Sequence, residues 1–225
     1  MRLSLLFFSM SSLLLFGCIG DDYIDDFVSP GVRITNPADT LALGSTYQFE
    51  ATFFDGVGLP QENTLIWTSS EETIISISDD GLAEALLDGE SLITVAVSDN
   101  PSVSSSKLIA TGLNTVLPAQ ERTASVASTS SYALEGDCIL HFEGTQLVLE
   151  FESNFSTSDE LPGLFVYLSN NPNSIVGAYE IAPVTTFNGA HSYDIPSSIG
   201  LYDYNHVLFF CAPFNVKVGV GSLSN

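Results

Sequence analysis

Short alternations of apolar and polar residues, separated by turn residues, run along most of this chain. Tyr47, Phe49, Ala51 and Phe53 alternate with Gln48, Glu50 and Thr52, which predicts a strand with one buried face. Asp55-Gly56 and Gly58-Leu59-Pro60 follow as turn chemistry. Ile66 to Ser70, Ile74 to Ile77, Leu82 to Ala85 after the turn Asp79-Asp80-Gly81, and the alternation Ile93, Val95, Val97 continue the series. About seven strands at this spacing predict an Ig-type sandwich. Asp79-Asp80-Gly81 lacks the repeated carboxylates of a calcium loop and reads as a plain turn.

A second pattern governs the C-terminal part. Val207, Leu208, Phe209 and Phe210 lead without a polar break to Cys211, so both faces of that strand should be buried. Pro213 cannot donate to a ladder, so the strand must end or bulge there, and such a break could expose the thiol. Val216, Val218 and Val220 alternate with Lys217, Gly219 and Gly221, predicting a half-buried strand with its valines on one face. Thr123 to Ser131 is rich in Ser, Thr and Ala and reads as an edge strand leading into this part. Gly112 to Ala119 reads as the linker before it.

The first residues carry a different signal. Arg2 precedes an apolar run from Leu3 to Phe16 that is too short to span a bilayer stably, and Gly17-Cys18 ends it. That is a secretory leader. Asp21, Asp22, Asp25 and Asp26 follow as a solvated acidic tether.

Charge narrows the partners. The chain has five Lys and Arg against 27 Asp and Glu, a formal net charge of −22. Arg2 falls within the leader, so only Arg33, Lys107, Arg122 and Lys217 remain basic in the mature chain. Nucleic-acid binding needs the opposite sign and is excluded. Anionic headgroups would repel such a surface, so any membrane link must run through a lipid anchor. A hydrophobic content of 45% with 14% charged residues predicts a folded protein.

Catalytic constellations are scarce. His141, His191 and His206 are scattered, and no H-E-x-x-H, C-x-x-C or G-x-S-x-G spacing occurs. No metal ligands stand out and no enzyme activity is expected, beyond a redox or electron-transfer accessory role. Cys138 and Cys211 are the cysteines left once Cys18 is used as an anchor. Three readings of Cys211 stay open: a disulfide with Cys138, suited to an oxidising compartment; a free thiol that changes redox state; and a thiolate ligand to haem or another prosthetic group, which nothing in the sequence requires. On strand parity Cys138 shares a face with Leu140 and Phe142, and Cys211 with Val207 and Phe209, so both thiols should enter one core. His206, five residues upstream, points away from the face that carries Cys211.

Three resemblances go further. Leu15-Phe16-Gly17-Cys18 resembles the bacterial lipobox, which implies lipidation of Cys18, and the acids behind it are similar to the surface-export signal of Bacteroidetes lipoproteins. WTSS, ISISDDGLAEAL and DGESLITV, in that order, resemble a bacterial Ig-like domain of the second group, which implies that Trp67 is its core tryptophan. GAYEI (177–181), HSYDIP (191–196) and LYDYNHVLFFCAPFNVKVGVGSL (201–223) resemble the DM-thirteen, Skeletor-type module, proposed for extracellular electron transfer. That family centres on one cysteine, which Cys211 matches; it usually has Pro-Asp where this chain has Pro162-Gly163, and usually no counterpart of Cys138. The resemblances imply an all-β protein: leader 1–17, acidic tether 18–30, Ig-like sandwich 31–112, linker 113–120, and a sandwich or barrel-like module 121–225. They imply a lipid-anchored protein at the outer membrane and cell surface, serving a redox partner protein, or alternatively a structural or adhesive one that meets another cell-surface protein.

Overall fold

The computed structural model describes residues 26–118 and 120–224, so the leader, Cys18 and most of the acidic tether lie outside the described residues. Ten strands make the N-terminal part: β1 (Gly31–Ile34), β2 (Thr40–Ala42), β3 (Thr46–Gln48), β4 (Ala51–Phe54), β5 (Pro60–Gln61), β6 (Leu65–Ser69), β7 (Ile75–Ile77), β8 (Leu82–Ala85), β9 (Glu90–Val97) and β10 (Asn100–Gly112). A four-stranded sheet in the order β2-β10-β9-β6 shares one core with strands of two smaller sheets, β1-β4-β5 and β3-β8-β7. Phe49, Trp67, Ile75, Ile93, Val95 and Ile109 fill it, with the Trp67 ring 5.8 Å from Phe49. The alternation from Tyr47 to Phe53 does not form one strand. It divides at Phe49–Glu50, β3 pairing with β8 and β4 with β1, so the chain passes from one small sheet to the other.

The C-terminal part holds β11 (Glu121–Ser128), β12 (Leu134–Glu143), β13 (Gln146–Phe151), β14 (Ser156–Thr157), β15 (Leu164–Ser169), β16 (Tyr179–Pro183), β17 (His191–Ile195), β18 (His206–Cys211) and β19 (Val216–Ser222). They form one nine-stranded sheet, β16-β15-β18-β19-β11-β12-β13-β17, with β14 added beside β12. Its end strands approach each other, so the sheet curls into a nearly closed barrel around a single apolar core. Strand β11 is interior, between β19 and β12, rather than an edge. Its alternation Arg122, Ala124, Val126 turns one face inward, and the small Ser and Ala residues let two neighbours close on it.

Strand β18 is buried on both faces. Val207, Phe209 and Cys211 enter the barrel core, while Leu208 and Phe210 pack with Tyr167, Phe165 and Ile175 outside it. The strand ends at Cys211, where Pro213 belongs to a 3₁₀ turn, Ala212–Phe214, and Asn215 takes a left-handed conformation.

One expectation for β19 fails for a local reason. Phe209 pairs with Gly219 and Phe210 with Lys217, so two steps on β19 oppose one on β18. This bulge reverses the inside–outside alternation. Val218 therefore stays in the barrel core, Val220 turns outward to join Leu208, and Gly219 faces β11. A Cβ on Gly219 would lie 2.2 Å from the Ala127 carbonyl oxygen and 2.6 Å from Leu134, so glycine alone permits this approach.

The two parts touch through specific polar contacts. Arg33 Nη1 donates to the Tyr202 carbonyl at 2.8 Å and Nη2 to Asn170 Oδ1 at 2.9 Å. Asn171 Nδ2 donates to the Val57 carbonyl at 3.0 Å and to that of Asp26. Val116, inside the expected linker, bridges back to Thr40 of β2.

Candidate functional site

Cys211 closes β18, opposite Leu164 of β15 and Val216 of β19. Its side chain is fully buried, and Sγ–H donates to the Pro162 carbonyl at 3.4 Å. The break at Pro213 thus hides the thiol instead of exposing it. Two surface turns seal it: Pro162–Gly163, and Ala212–Phe214, none of whose residues is buried. Gly163 has φ +87°, and a Cβ there would sit 2.9 Å from the Pro213 ring, so the turns pack against each other at this glycine.

Below the thiol lies an aromatic stack that the sequence reading did not assemble. Phe209 contacts Phe151 and Phe155 at 5.7 Å, and His191 stacks on Phe151 at 4.9 Å and meets Tyr193 edge-on at 5.3 Å. These residues come from β13, the following turn, β17 and β18, so no local spacing brings them together. The available signal was that Phe151 and Phe209 each sit on an inward-facing position of an apolar strand. His191 Nδ1 lies 3.0 Å from the Gly189 carbonyl, and its buried Nε2 has no partner. Burial raises the Tyr193 phenol above its ordinary value.

On the outer face Tyr167 donates to Glu180 Oε2 at 3.1 Å. Burial pushes its phenol up to about 12; the carboxylate bond and, in smaller measure, Cys211 add to the shift. The phenol is protonated under all ordinary conditions.

Cys138 lies on β12 between Ala124 and Phe151 and shares the barrel core with Cys211, as strand parity implies. The two do not form the disulfide suggested by their count; both are free and buried. Register explains the separation. Through Ala124, Cys138 stands level with the Leu223–Ser224 end of the last strand, whereas Cys211 faces Val216 at the other end, and β19 and β11 lie between them. A bridge needs Cα atoms within about 7 Å. Burial, with Asp137 adding to it, pushes the Cys138 thiol up to about 12, so it is protonated and a poor nucleophile.

A haem-sized group does not fit at Cys211 in this arrangement. The thiol is enclosed by Leu164, Phe209 and Val216, its proton is engaged by Pro162, and His206 lies on the other face of β18. No step is therefore assigned to such a group.

Two further groups complete the picture. His141 and Glu143 of β12 and Glu150 of β13 have ligand atoms within 4.8 Å of one another on the outer face, with His141 Nε2 3.4 Å from Glu150 Oε2. Tyr202 and Tyr204 lie in the turn that leads into β18; the Tyr202 ring lies under the Arg122 guanidinium at 5.5 Å. Arg122 is 6% exposed and donates to the carbonyls of Leu201, Tyr204 and Leu223 and to Asn205 Oδ1.

Residues 128–223 match the family model described as electron transfer DM13, which spans most of the barrel and includes Cys211. Among curated proteins, an uncharacterised protein of Clostridium acetobutylicum is 30% identical over 104 residues, 44% of this chain and 25% of that protein. Ice-binding protein 1 of Shewanella frigidimarina is 33% identical over 99 residues, 40% of this chain and 11% of that protein. The chain thus spans a quarter or less of the length of these relatives. Among solved structures, a bacterial Ig-like domain-containing GH10 xylanase from termite gut aligns at 25% identity over 32% of this chain and 18% of its own, TM-score 0.25. Domains 5–6 of the S-layer protein SbsC align at 13% identity over 88% of this chain and 96% of theirs, TM-score 0.31.

Proposed function

We propose that this is an exported lipoprotein, anchored through Cys18 at the outer membrane and facing outward, in which an Ig-like spacer carries a DM13-type electron-transfer barrel. The observation that carries this reading is the family match at residues 128–223, which includes Cys211. Cys211 is the redox residue. It is held reduced and dry by two surface turns, and it reaches a redox partner protein when the Ala212–Phe214 turn opens. The pattern Leu15-Phe16-Gly17-Cys18 and the acids after it support the anchor and the export.

The test is a redox titration of the purified mature chain, with thiols counted by mass at each potential, beside Cys211→Ala. A reversible oxidation that needs Cys211 supports the module. A Cys211 that stays reduced in the folded protein through the whole range overturns it. The adhesive alternative, in which Cys211 is only a core residue, is favoured by that thiol's complete burial and gains from the same negative result. Cys18→Ala tests the anchor separately: the variant leaves the membrane fraction if the lipid holds it. Protease treatment of intact cells, digesting the chain only if it faces outward, tests its placement.

A further inference from the structure

Three of the four basic residues of the mature chain come together. Arg33, Lys107 and Arg122 all line one cleft between the sandwich and the barrel, with Tyr202 and His206 beside them. Its volume is about 580 Å³, within the range of small-molecule sites.

Lys107 of this cleft is paired with a carboxylate, but the two arginines are not. The ion pairs among the described residues are Lys107–Asp39 at 2.6 Å and His141–Glu150, so neither arginine is in one. A chain with 27 acidic residues had carboxylates to spare for them. Arg33 instead lies over the Phe54 ring at 4.4 Å and uses two protein acceptors. Arg122 satisfies both terminal nitrogens with protein oxygens, yet its Nε is buried without a partner, and so is the Tyr202 hydroxyl. An uncompensated buried charge and an unpaired buried donor each cost free energy, and a built arrangement that keeps both needs a reason.

Electrostatics agree with the geometry. Burial, then the like charge of Arg122, lowers Arg33 to about 10, with Asp203 pulling the other way. Burial and the charges of Arg33, Arg122 and Lys217 lower His206 to about 4, so the imidazole is neutral at neutral pH. A bound anion would relieve each of these shifts.

We propose that this cleft binds a small ligand through an oxyanion head, held by Arg33 and Arg122 with the Tyr202 hydroxyl as a further donor. Arg33 spends one hydrogen of each terminal nitrogen on protein, which leaves guanidinium donors for phosphate, sulfate or carboxylate oxygens. Arg122 adds its unpartnered Nε–H, and the cleft walls leave room for a polar body behind the head. Arg122 alone would be a structural clamp on the 201–205 turn and the C-terminal strand. The second guanidinium, the missing carboxylate and the unpartnered donors make the place a site.

Calorimetric titration of the mature chain at low chloride with inorganic phosphate, sulfate and acetate tests it. One saturable site is expected, with phosphate or sulfate ahead of acetate if the head is tetrahedral and acetate ahead if it is a carboxylate. Arg33→Gln should weaken binding at least about tenfold, and Tyr202→Phe about threefold to tenfold, the loss of one hydrogen bond. In the unaltered protein, phosphate should move the NMR titration midpoint of His206 upward, a readout that no folding defect can imitate. Absence of saturable binding for all three anions, or phosphate binding that Tyr202→Phe and Arg33→Gln leave unchanged, overturns the proposal. So does a His206 midpoint indifferent to phosphate.

Discussion

Replacing Gly219 by alanine should open the barrel without touching its core composition. The added methyl would stand 2.2 Å from the Ala127 carbonyl oxygen and 2.6 Å from Leu134, far inside contact distance. The oxygen belongs to backbone, so strand β11 must move by about 1 Å, and overpacking of this kind costs about 1–3 kcal/mol. The same movement strains the junction of β11 with β19, which consists of Ala127↔Val220 and Ser128↔Gly219. Losing one or two of its hydrogen bonds adds about 1 kcal/mol each. A loss of about 3–4 kcal/mol lowers the barrel's melting temperature by roughly 15–20 °C for a domain of this size. The assay can assign the loss to the barrel. Trp67 lies in the sandwich, while Cys138 and Cys211 are buried in the barrel, so fluorescence and thiol reactivity report the two parts separately. Thiol exposure should shift to lower temperature and tryptophan fluorescence much less. Gly31→Ala, with nothing within 4 Å, is the control. A Gly219→Ala protein whose thiols emerge alongside those of Gly31→Ala would refute the close approach.

Three other outcomes follow from the same geometry. Alkylation of a Cys18→Ser chain in denaturant without reductant should add two groups by mass, and the native protein should add none on the timescale of free thiol labelling. Arg122→Leu strands the carbonyls of Leu201, Tyr204 and Leu223 and should cost about 3–5 kcal/mol in urea unfolding. Arg122→Lys should recover little of this, because one ammonium cannot reach acceptors arranged for a fork. His206 has a folded value of about 4 against 6.5 for the free side chain, so the unfolded chain takes up the proton first. Its contribution is present above pH 6.5, declines as pH falls from 6.5 to 4, and amounts to about 3 kcal/mol. His206→Gln should flatten that segment of the stability–pH curve; an unchanged curve would show that the imidazole is not held neutral.

Much of the barrel's central strand was legible because both of its determinants are local. An unbroken apolar run predicts burial on both faces, and Pro213 predicts where it stops; β18 has both properties. Trp67 likewise sits in its sandwich core. What escaped the sequence depends on partners far along the chain. The valines of β19 alternate cleanly in sequence, yet a bulge against Phe209 and Phe210 divides them between two faces. Thr123 to Ser131 looked like an edge because its residues are small and polar, the same feature that lets it lie between two strands. Cys138 and Cys211 share a core face, as parity indicates, but parity says nothing about which end of the barrel each occupies. Arg33 and Arg122 are 89 positions apart; their only sequence signal was rarity among acids.

The seam of the barrel limits how that part of the protein can meet others. Its free borders are β16, with Glu180 and Pro183, and β17, with Asp194. Pro183 lacks the amide proton that a guest strand would need, and β16 is also irregular where it joins β15, between Val166 and Tyr167. Carboxylates on both borders would repel a second copy of this acidic chain. Sheet extension, the easiest route by which crowded β-proteins polymerise, is therefore opposed at both borders of the barrel. At the barrel, a partner must therefore engage loops and clefts instead of lending a strand.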